Sequence, residues 1–183
     1  MRKGRILQLS PGFRPRHNQL TELDHLLECL EGFKVAIELR NRGWAAENQL
    51  PATRQFFSKR RITFVMVDAP ADPHFTILPN IDLVTSHELA YLRAHGRNAE
   101  GYIRQRTVAG RFDYDYPGRE LVEIGERADK AAKKAGEVHV IFNNNKADYA
   151  PRAALGLQQI LLQRQPESST RAEVNQPELA GTR

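Results

Sequence analysis

Five short apolar runs, each followed by polar or charged residues, alternate with stretches of helical periodicity along most of the chain. Apolar runs of this length, bounded by turn residues, are typical of strands that are covered on both faces. The pattern predicts five strands, at residues 5–9, 35–39, 62–67, 88–94 and 138–142.

Between these runs, apolar residues recur at the spacing of a helix. The spacing predicts a first helix from Leu20 to Leu30, and a second that starts near Pro51 and ends in the basic run Lys59-Arg60-Arg61. Two further helices are predicted at 119–135 and 147–163, and a long loop at 96–117. Strands that alternate with helices predict an α/β fold with a parallel sheet.

The length of 183 residues fits one domain, which we place at residues 1–163. From residue 164 the sequence is rich in Gln, Glu, Ser, Thr and Pro, and this composition predicts a disordered polar tail over 164–183. The single cysteine, Cys29, excludes an intrachain disulfide and a cysteine-rich zinc site. Its leucine neighbours predict a buried, inert thiol.

The composition also bears on location and partners. No stretch approaches the roughly 18 apolar residues of a membrane-spanning helix, and no signal-peptide core follows the basic start of the chain. We therefore expect a cytoplasmic protein with no membrane partner. The net charge of +5 permits an anionic partner without requiring one.

Polar residues at the ends of the predicted strands are the candidate functional residues, because the carboxyl ends of parallel strands converge on one rim where ligands bind. Alternation places Glu38 and Arg40 on one face of their strand, and if the faces of Asp68 and His95 also look inward, the four side chains meet. The alternative is a buried ion-pair network that only stabilises the fold. For Glu38 and Arg40 the sequence favours neither the functional nor the structural interpretation.

Histidine at a strand end is the strongest candidate for chemistry, because its side chain acts as an acid, a base or a metal ligand near neutral pH. We predict catalytic roles for His95, Glu38 and Asp68, with hydrogen-bonded structural roles as the alternative. No spacing typical of a metal site occurs, so no metal is predicted, and no cofactor is named. Ligand-binding roles are predicted for Arg40, Arg97, Asn98, Tyr114, Asn143 and Asn144, with loop fixing as an equal alternative for the two asparagines.

Six short motifs resemble, in order and in approximate spacing, those of the YecE-like family, which is labelled domain of unknown function seventy-two. They are Gln8-Leu9-Ser10-Pro11 to Phe13, Glu38-Leu39-Arg40 with Trp44, Val67-Asp68-Ala69-Pro70, His95-Gly96-Arg97-Asn98, Arg111-Phe112-Asp113-Tyr114 and Phe142-Asn143-Asn144. The resemblance implies a TIM-barrel-like fold, of which this chain looks like the carboxyl-terminal portion, about five of eight βα units. An incomplete barrel has open sheet edges, which favour self-association or pairing with a missing amino-terminal segment.

Three functions remain in competition at this stage. The first is an enzyme of unassigned reaction that acts on a small anionic or phosphorylated ligand at the rim. The second is a nucleic-acid-binding protein, motivated by the net charge and by Arg104, Arg106 and Arg111, although no aromatic–basic recognition motif supports it. The third is an inactive truncation of a full barrel.

Overall fold

The computed structural model describes residues 4–71, 77–104, 107–144 and 146–164. Within these residues, five strands are present close to the predicted positions. They are β1 (Gly4–Gln8), β2 (Lys34–Glu38), β3 (Thr63–Asp68), β4 (Leu89–Ala94) and β5 (Glu137–Phe142). The predicted tail beyond residue 164 and the candidate Arg106 lie outside the described residues.

All neighbouring strands are parallel, and their order in the sheet is the order of the sequence. A doubly wound sheet would reverse this order at a switch point, whereas a barrel adds each strand on the same side. The sheet is therefore a curled half-barrel of five strands, which confirms the prediction of an incomplete TIM-barrel-like α/β fold.

Helices connect the strands and cover one face of the sheet. They are α1 (Asp24–Cys29), α2 (Leu50–Arg60), α3 (Ala99–Arg104), α4 (Val108–Arg111), α5 (Gly118–Ala132) and α6 (Tyr149–Arg164), with 3₁₀ turns at Leu20–Leu23 and Arg42–Ala45. Lys59 and Arg60 lie in the last turn of α2 as predicted, where cations interact favourably with the helix dipole.

The strand register divides the side chains between two faces. Ile37 pairs with Phe64, and Met66 with Leu92, so these side chains share one face, and all four are buried in the hydrophobic core. The core includes Phe57 of α2, Ile124 of α5 and Leu157 of α6, so this is the helix-facing side of the sheet. The opposite face is the inner face of the half-barrel.

Part of the inner face is open to solvent. Ile6 of β1 and Ile141 of β5 are each 42% exposed, and His139, two residues before Ile141 in β5, is also exposed. Across the interior, the Lys34 Nζ of β2 lies 2.8 Å from the Glu137 Oε1 of β5, although two strands separate β2 from β5 in the sheet. This ion pair shows how tightly the sheet is curled.

Two local predictions are wrong. Cys29 is exposed, because α1 is short and the 3₁₀ turn before it supplies the buried Leu20 and Leu23. The segment 96–117 is not an unstructured loop, since it contains the short helices α3 and α4. Among the described residues, no helix has the length and apolarity that crossing a membrane requires.

Candidate functional site

A polar cluster surrounds Glu38 at the carboxyl end of β2, on the inner face of the half-barrel. We call it the inner cluster; its members are Gln8, Glu38, Arg40, Arg93, His95 and Asn143. The Glu38 carboxylate is almost fully buried. Arg93 Nη1 donates a hydrogen bond to Oε2, while His95 Nε2 lies 3.3 Å and Gln8 Nε2 3.4 Å from Oε1. The inner cluster thus joins β1, β2, the end of β4 and the residue after β5.

Asn143 determines how His95 carries its proton. The Asn143 Oδ1 accepts a hydrogen bond of 3.0 Å from Arg93 Nη2, and a guanidinium has only donors, so the amide oxygen must face Arg93. The amide nitrogen therefore faces His95 Nδ1, at 3.2 Å. Nδ1 accepts this bond, which leaves the ring proton on Nε2, where it points at Glu38.

The Glu38 carboxyl group ionises more easily than an ordinary glutamate. Burial by itself raises its pKa, but the hydrogen bond from His95, together with the positive charge and hydrogen bond of Arg93, lowers the pKa below the usual value of 4.5. Glu38 is therefore a carboxylate at neutral pH, and it is a hydrogen-bond acceptor for both partners.

Arg40 is the least engaged cation of the inner cluster. Its Nε lies 3.9 Å from Glu38 Oε1, beyond hydrogen-bond distance, and its side chain is 33% exposed. Arg93, by contrast, is only 13% exposed and donates to both Glu38 and Asn143. Two guanidinium groups thus face one carboxylate, and the second of them is open to solvent.

Aromatic side chains from the segment after β4 cover His95. The Phe112 ring lies 5.5 Å from the His95 ring, and the Tyr102 ring packs edge-on against Phe112 at 5.9 Å. A cavity of about 20 Å³ remains between Glu38, Arg40, Val67, His95 and Tyr102. That volume holds about one water molecule, so the interior of the inner cluster has no room for a larger molecule.

A second polar cluster surrounds Asp68, and it lies on the other face of the sheet. Asp68 pairs in register with Ala94, on the helix-facing side, whereas Val67 pairs with Arg93 on the inner face. We call this the outer cluster; its members are Asp68, Asn80, Arg97, Tyr116 and Arg127. The prediction that Asp68 meets Glu38 and His95 is therefore wrong. In β3 it is Val67, one residue earlier, that points to the inner face, and Asp68 points to the helices.

The Asp68 carboxylate is fully buried and accepts hydrogen bonds from every other member of the outer cluster. Arg97 donates from Nη2 to Oδ1 at 2.9 Å and from Nε to Oδ2 at 3.0 Å. Arg127 Nη1 lies 3.3 Å and Asn80 Nδ2 3.4 Å from Oδ1. The Tyr116 hydroxyl donates to Oδ2 at 2.8 Å, and burial followed by the Asp68 charge raises its pKa far above the ordinary value.

Arg97 is fully committed within the outer cluster. Its third nitrogen, Nη1, donates to Glu123 at 2.7 Å and lies 3.8 Å from Glu120, so three carboxylates surround one guanidinium. Binding of an anion by Arg97 would require these ion pairs to open. Arg127 and Arg93, which sequence reasoning missed as site residues, hold the two carboxylates in place.

The remaining candidates fix the chain after β4 and β5. Asn98 Oδ1 accepts from the Gly101 N–H, and its Nδ2 donates to the Asp113 carbonyl. The Tyr114 hydroxyl donates to Glu120, with a pKa raised to about 12 by burial and by that carboxylate. Asn144 is fully buried and donates to the Tyr114 carbonyl, while its Oδ1 has no partner among the described residues.

Gly96 allows the two clusters to sit back to back. Its φ of +89° favours glycine, and a Cβ at this position would lie 2.6 Å from the Tyr114 Cβ. Its N–H donates to the Tyr116 hydroxyl at 2.8 Å. The sharp bend sends His95 into the inner cluster and Arg97 into the outer cluster, two residues apart in sequence.

Of the nine residues predicted from sequence, the inner cluster gathers Glu38, Arg40, His95 and Asn143. Asp68 and Arg97 lie in the outer cluster, while Asn98, Tyr114 and Asn144 lie in the loops behind. In the part of the chain that the structure describes, no three His, Cys, Asp or Glu side chains are grouped as metal ligands. Arg104, proposed as a basic-patch residue, pairs with Glu100.

Comparison with known proteins places the chain in a family. Residues 4–178 match the family model described as "Protein of unknown function DUF72". The chain belongs to the DUF72 family. This confirms the resemblance that the six motifs indicated. Among curated proteins, no match was found.

Solved structures of DUF72 family proteins are similar to this chain in fold and sequence. Two crystal structures of a DUF72 protein from Enterococcus faecalis V583 align with TM-scores of 0.77 and 0.75 at 31% identity, and one from Thermotoga maritima MSB8 with 0.72 at 27%. The alignments cover 86–87% of this chain but only 57–60% of the chains of those proteins.

Proposed function

We propose that the inner cluster of this DUF72 protein binds a small anionic ligand, a phosphate or carboxylate compound, at the carboxyl-terminal rim of the half-barrel. The observation that carries the proposal is the charge balance around Glu38. Arg93 and Arg40 both face this one carboxylate, and Arg40 lies 3.9 Å away with a third of its side chain exposed. A guanidinium placed in this way is suited to a bidentate contact with an oxyanion.

Within this proposal Arg40 is the group that contacts the ligand, and Glu38 and Arg93 hold the site in shape. Arg93 keeps the Asn143 amide in one orientation, and Asn143 keeps the proton of His95 on Nε2. His95 Nε2–H then lies beside Glu38, close to the mouth where the anion binds. If the protein is an enzyme, His95 is the group best placed to give up or accept a proton there.

The roles that we predicted for Asp68, Arg97, Asn98, Tyr114 and Asn144 stay predictions. The contacts of Asp68 and Arg97 favour a structural part in the site, since each of them is saturated by partners within the protein. Both the oxygen and the nitrogen of the Asn98 side-chain amide likewise form hydrogen bonds with backbone groups of the neighbouring segment.

The test is calorimetric titration of the 183-residue chain with inorganic phosphate and with a small phosphomonoester. Substitution of Arg40→Gln removes one exposed charge and its hydrogen bonds to the anion. Because a charge-assisted hydrogen bond contributes about 1.5–3 kcal/mol, the Kd should rise by roughly ten- to a hundredfold.

The matched control is Arg54→Gln, which removes the same charge from an exposed position on α2. It should leave the Kd within about twofold, since screening weakens the effect of a distant surface charge. Equal weakening by both substitutions would mean that only the net charge attracts the anion. No binding by the unaltered chain at millimolar phosphate would contradict the proposal.

A further inference from the structure

The segments that follow β1 and β2 form a basic surface beside the inner cluster. Both segments come directly after the carboxyl ends of their strands, so they lie at the rim where part of Arg40 is exposed. Residues 9–21 and 39–46 contain no Asp or Glu, and they carry four arginines, namely Arg14, Arg16, Arg40 and Arg42.

Hydrogen bonds and ring stacking hold these two segments together. The Asn41 Nδ2 donates to the Pro11 carbonyl at 3.0 Å, and the Trp44 Nε1 donates to the Phe13 carbonyl at 2.8 Å. The Phe13 and Trp44 rings are stacked, with 5.3 Å between their centroids. A surface fixed in this way does not have to be ordered when a ligand binds, which favours affinity.

The backbones of the two segments also approach closely. A Cβ on Gly43 would lie only 3.0 Å from the Pro15 Cδ. Pro15 stands between Arg14 and Arg16, and Gly43 follows Arg40 by three residues. The contact therefore brings the arginines after β1 against the segment that carries Arg40.

Arg14 and Arg16 are exposed and have no carboxylate partner among the described residues. Other arginines at the surface are paired: Arg60, Arg152 and Arg164 each donate to an aspartate at 2.7–2.9 Å. Unpaired guanidinium groups that lie close together attract an anion with several charges more strongly than an anion with one.

Glu22, the acidic residue that follows the first segment, does not neutralise it. Its Oε1 accepts a hydrogen bond of 2.7 Å from the Gln19 N–H, and its Oε2 accepts one of 3.2 Å from the Asn18 Nδ2. These bonds cap the 3₁₀ turn that begins at Leu20. The carboxylate is thus bound to the capping residues and not to a guanidinium group.

A further guanidinium group reaches the same rim from the segment after β4. Arg111 is exposed, and it directly precedes Phe112, whose ring covers His95. Burial raises the pKa of Tyr102, and the charges of Arg40 and Arg111 act against that rise. Because both charges act on the Tyr102 hydroxyl, Arg111 and Arg40 lie near the same part of the rim.

The half-buried ring of Phe13 lies next to these charges in the first segment. Proteins that bind single-stranded nucleic acids combine arginines, which contact phosphates, with aromatic rings, on which bases stack. A protein partner would instead need an apolar centre that is poor in charge. The large hydrophobic side chains that are exposed on the described part of the chain all lie outside residues 9–21 and 39–46.

We propose that Arg14, Arg16, Arg40 and Arg111, which we call the arginine track, bind the backbone of a single-stranded nucleic acid, with one base stacked on Phe13. The inference rests on the proposed function, because Arg40 contacts an anion in both. It identifies that anion as one phosphate of a longer chain, which crosses the rim from the segment after β1 to the segment after β4.

The experiment measures fluorescence anisotropy of labelled oligo(dT) and oligo(U), each of about twelve nucleotides, mixed with the 183-residue chain. The two oligonucleotides distinguish DNA from RNA. Four phosphate contacts on a single strand predict a slope of about −3 for the logarithm of the association constant against that of the salt concentration. The affinity should therefore fall roughly fiftyfold between about 50 and 200 mM salt.

The double substitution of Arg14→Gln and Arg16→Gln should weaken binding roughly tenfold or more and make the slope shallower by about 1.4, since two phosphate contacts are lost. The matched control combines Lys133→Gln with Lys134→Gln, which removes the same charge from exposed positions where α5 ends, at the opposite end of the strands. The control should stay within about twofold of the unaltered chain.

Phe13→Leu tests the contact with a base. Leucine keeps an apolar side chain against Trp44 but offers no aromatic face, so the affinity should fall about fivefold or more while the salt slope stays unchanged. Cooperative urea unfolding of each variant checks that the fold is retained.

Three results would overturn the inference. The first is no binding of either oligonucleotide at low salt, and the second is equal weakening by the arginine and lysine pairs. The third is an unchanged affinity in Phe13→Leu together with equally tight binding of a polyglutamate peptide of the same charge, which would make the track a surface for any polyanion. Titration with inorganic phosphate separates the two claims: a chain that binds phosphate through Arg40 but no oligonucleotide contradicts this inference alone.

Discussion

Two buried carboxylates, Glu38 and Asp68, end neighbouring strands of this half-barrel, yet their surroundings differ in the balance of charge. Around the outer cluster, carboxylates outnumber guanidinium groups: Arg97 and Arg127 are shared among Asp68 and three carboxylates at the border of the cluster, those of Asp82, Glu120 and Glu123. In the inner cluster, two guanidinium groups face Glu38 alone among the described carboxylates. Every guanidinium group of the outer cluster is closely paired with a carboxylate. In the inner cluster, the guanidinium group of Arg40 is not closely paired.

The difference teaches that residues at the same rim can differ greatly in how far their charge is already paired within the protein. Arg97 and Arg40 both follow strand ends and both carry a guanidinium. Arg97 is enclosed by three carboxylates, whereas Arg40 approaches one of them only loosely and faces solvent. Under the proposed function, the extent to which each charge is already paired, more than its position, distinguishes the outer cluster from the inner cluster.

The largest expected effect is on stability, at Asp68. Asp68→Asn removes the charge that two guanidinium groups share in a buried site, and should lower the free energy of unfolding by about 3–5 kcal/mol. Urea denaturation at pH 7 measures it. Asp82→Asn removes an exposed partner of the same Arg127 and should cost less than about 1 kcal/mol. Similar losses in both variants would erase the distinction between the enclosed and exposed partners.

A smaller loss is expected at Glu38, with a characteristic pH dependence. Glu38→Gln should lower the free energy of unfolding at pH 7 by about 1.5–3 kcal/mol, through weaker hydrogen bonds to Arg93 and His95. The folded pKa of Glu38 lies below its ordinary 4.5, so its stabilising contribution is complete above pH 4.5 and is lost as the pH falls through the folded value. The unfolding curves of the two proteins should therefore converge in acid. A gap of constant size between pH 7 and pH 3 would argue against an ionised Glu38.

The smallest of the three effects is expected at Tyr116. Tyr116→Phe leaves Asp68 Oδ2 with one donor fewer and the Gly96 N–H without its acceptor, which should cost about 1–2 kcal/mol. Tyr114→Phe is the matched control, because its hydroxyl contacts Glu120 at the less buried edge of the same loop. If the control loses more stability than Tyr116→Phe, the outer cluster does not hold this loop in the way described.

Much of this architecture could be predicted from the sequence, because strands, helices and their alternation have local signatures. The convergence of Glu38, Arg40 and His95 followed from strand ends and period-two alternation. The same alternation places Arg93, two residues before His95, on the inner face, so Arg93 could have been predicted as a site residue.

The face of Asp68 could not be predicted in this way. The run 62–67 is nearly continuous in apolar residues, so it contains no alternation that would fix which side points inward, and all of β3 is buried. Arg127 lies 59 residues after Asp68 on α5, and only the packing of that helix against the sheet brings the two together. Exposure of Cys29 likewise depends on where a short helix ends.

The central claim of the proposed function is that Arg40, supported by Arg93, presents positive charge to an anion, while Arg97 and Arg127 do not. The most direct measurement is a phosphate titration followed through the Nε–H resonances of the arginine side chains by nuclear magnetic resonance. The charge balance predicts saturable shifts for Arg40 and smaller ones for Arg93, with Arg97 and Arg127 unchanged. Saturable shifts at Arg97 or Arg127, with none at Arg40, would contradict it.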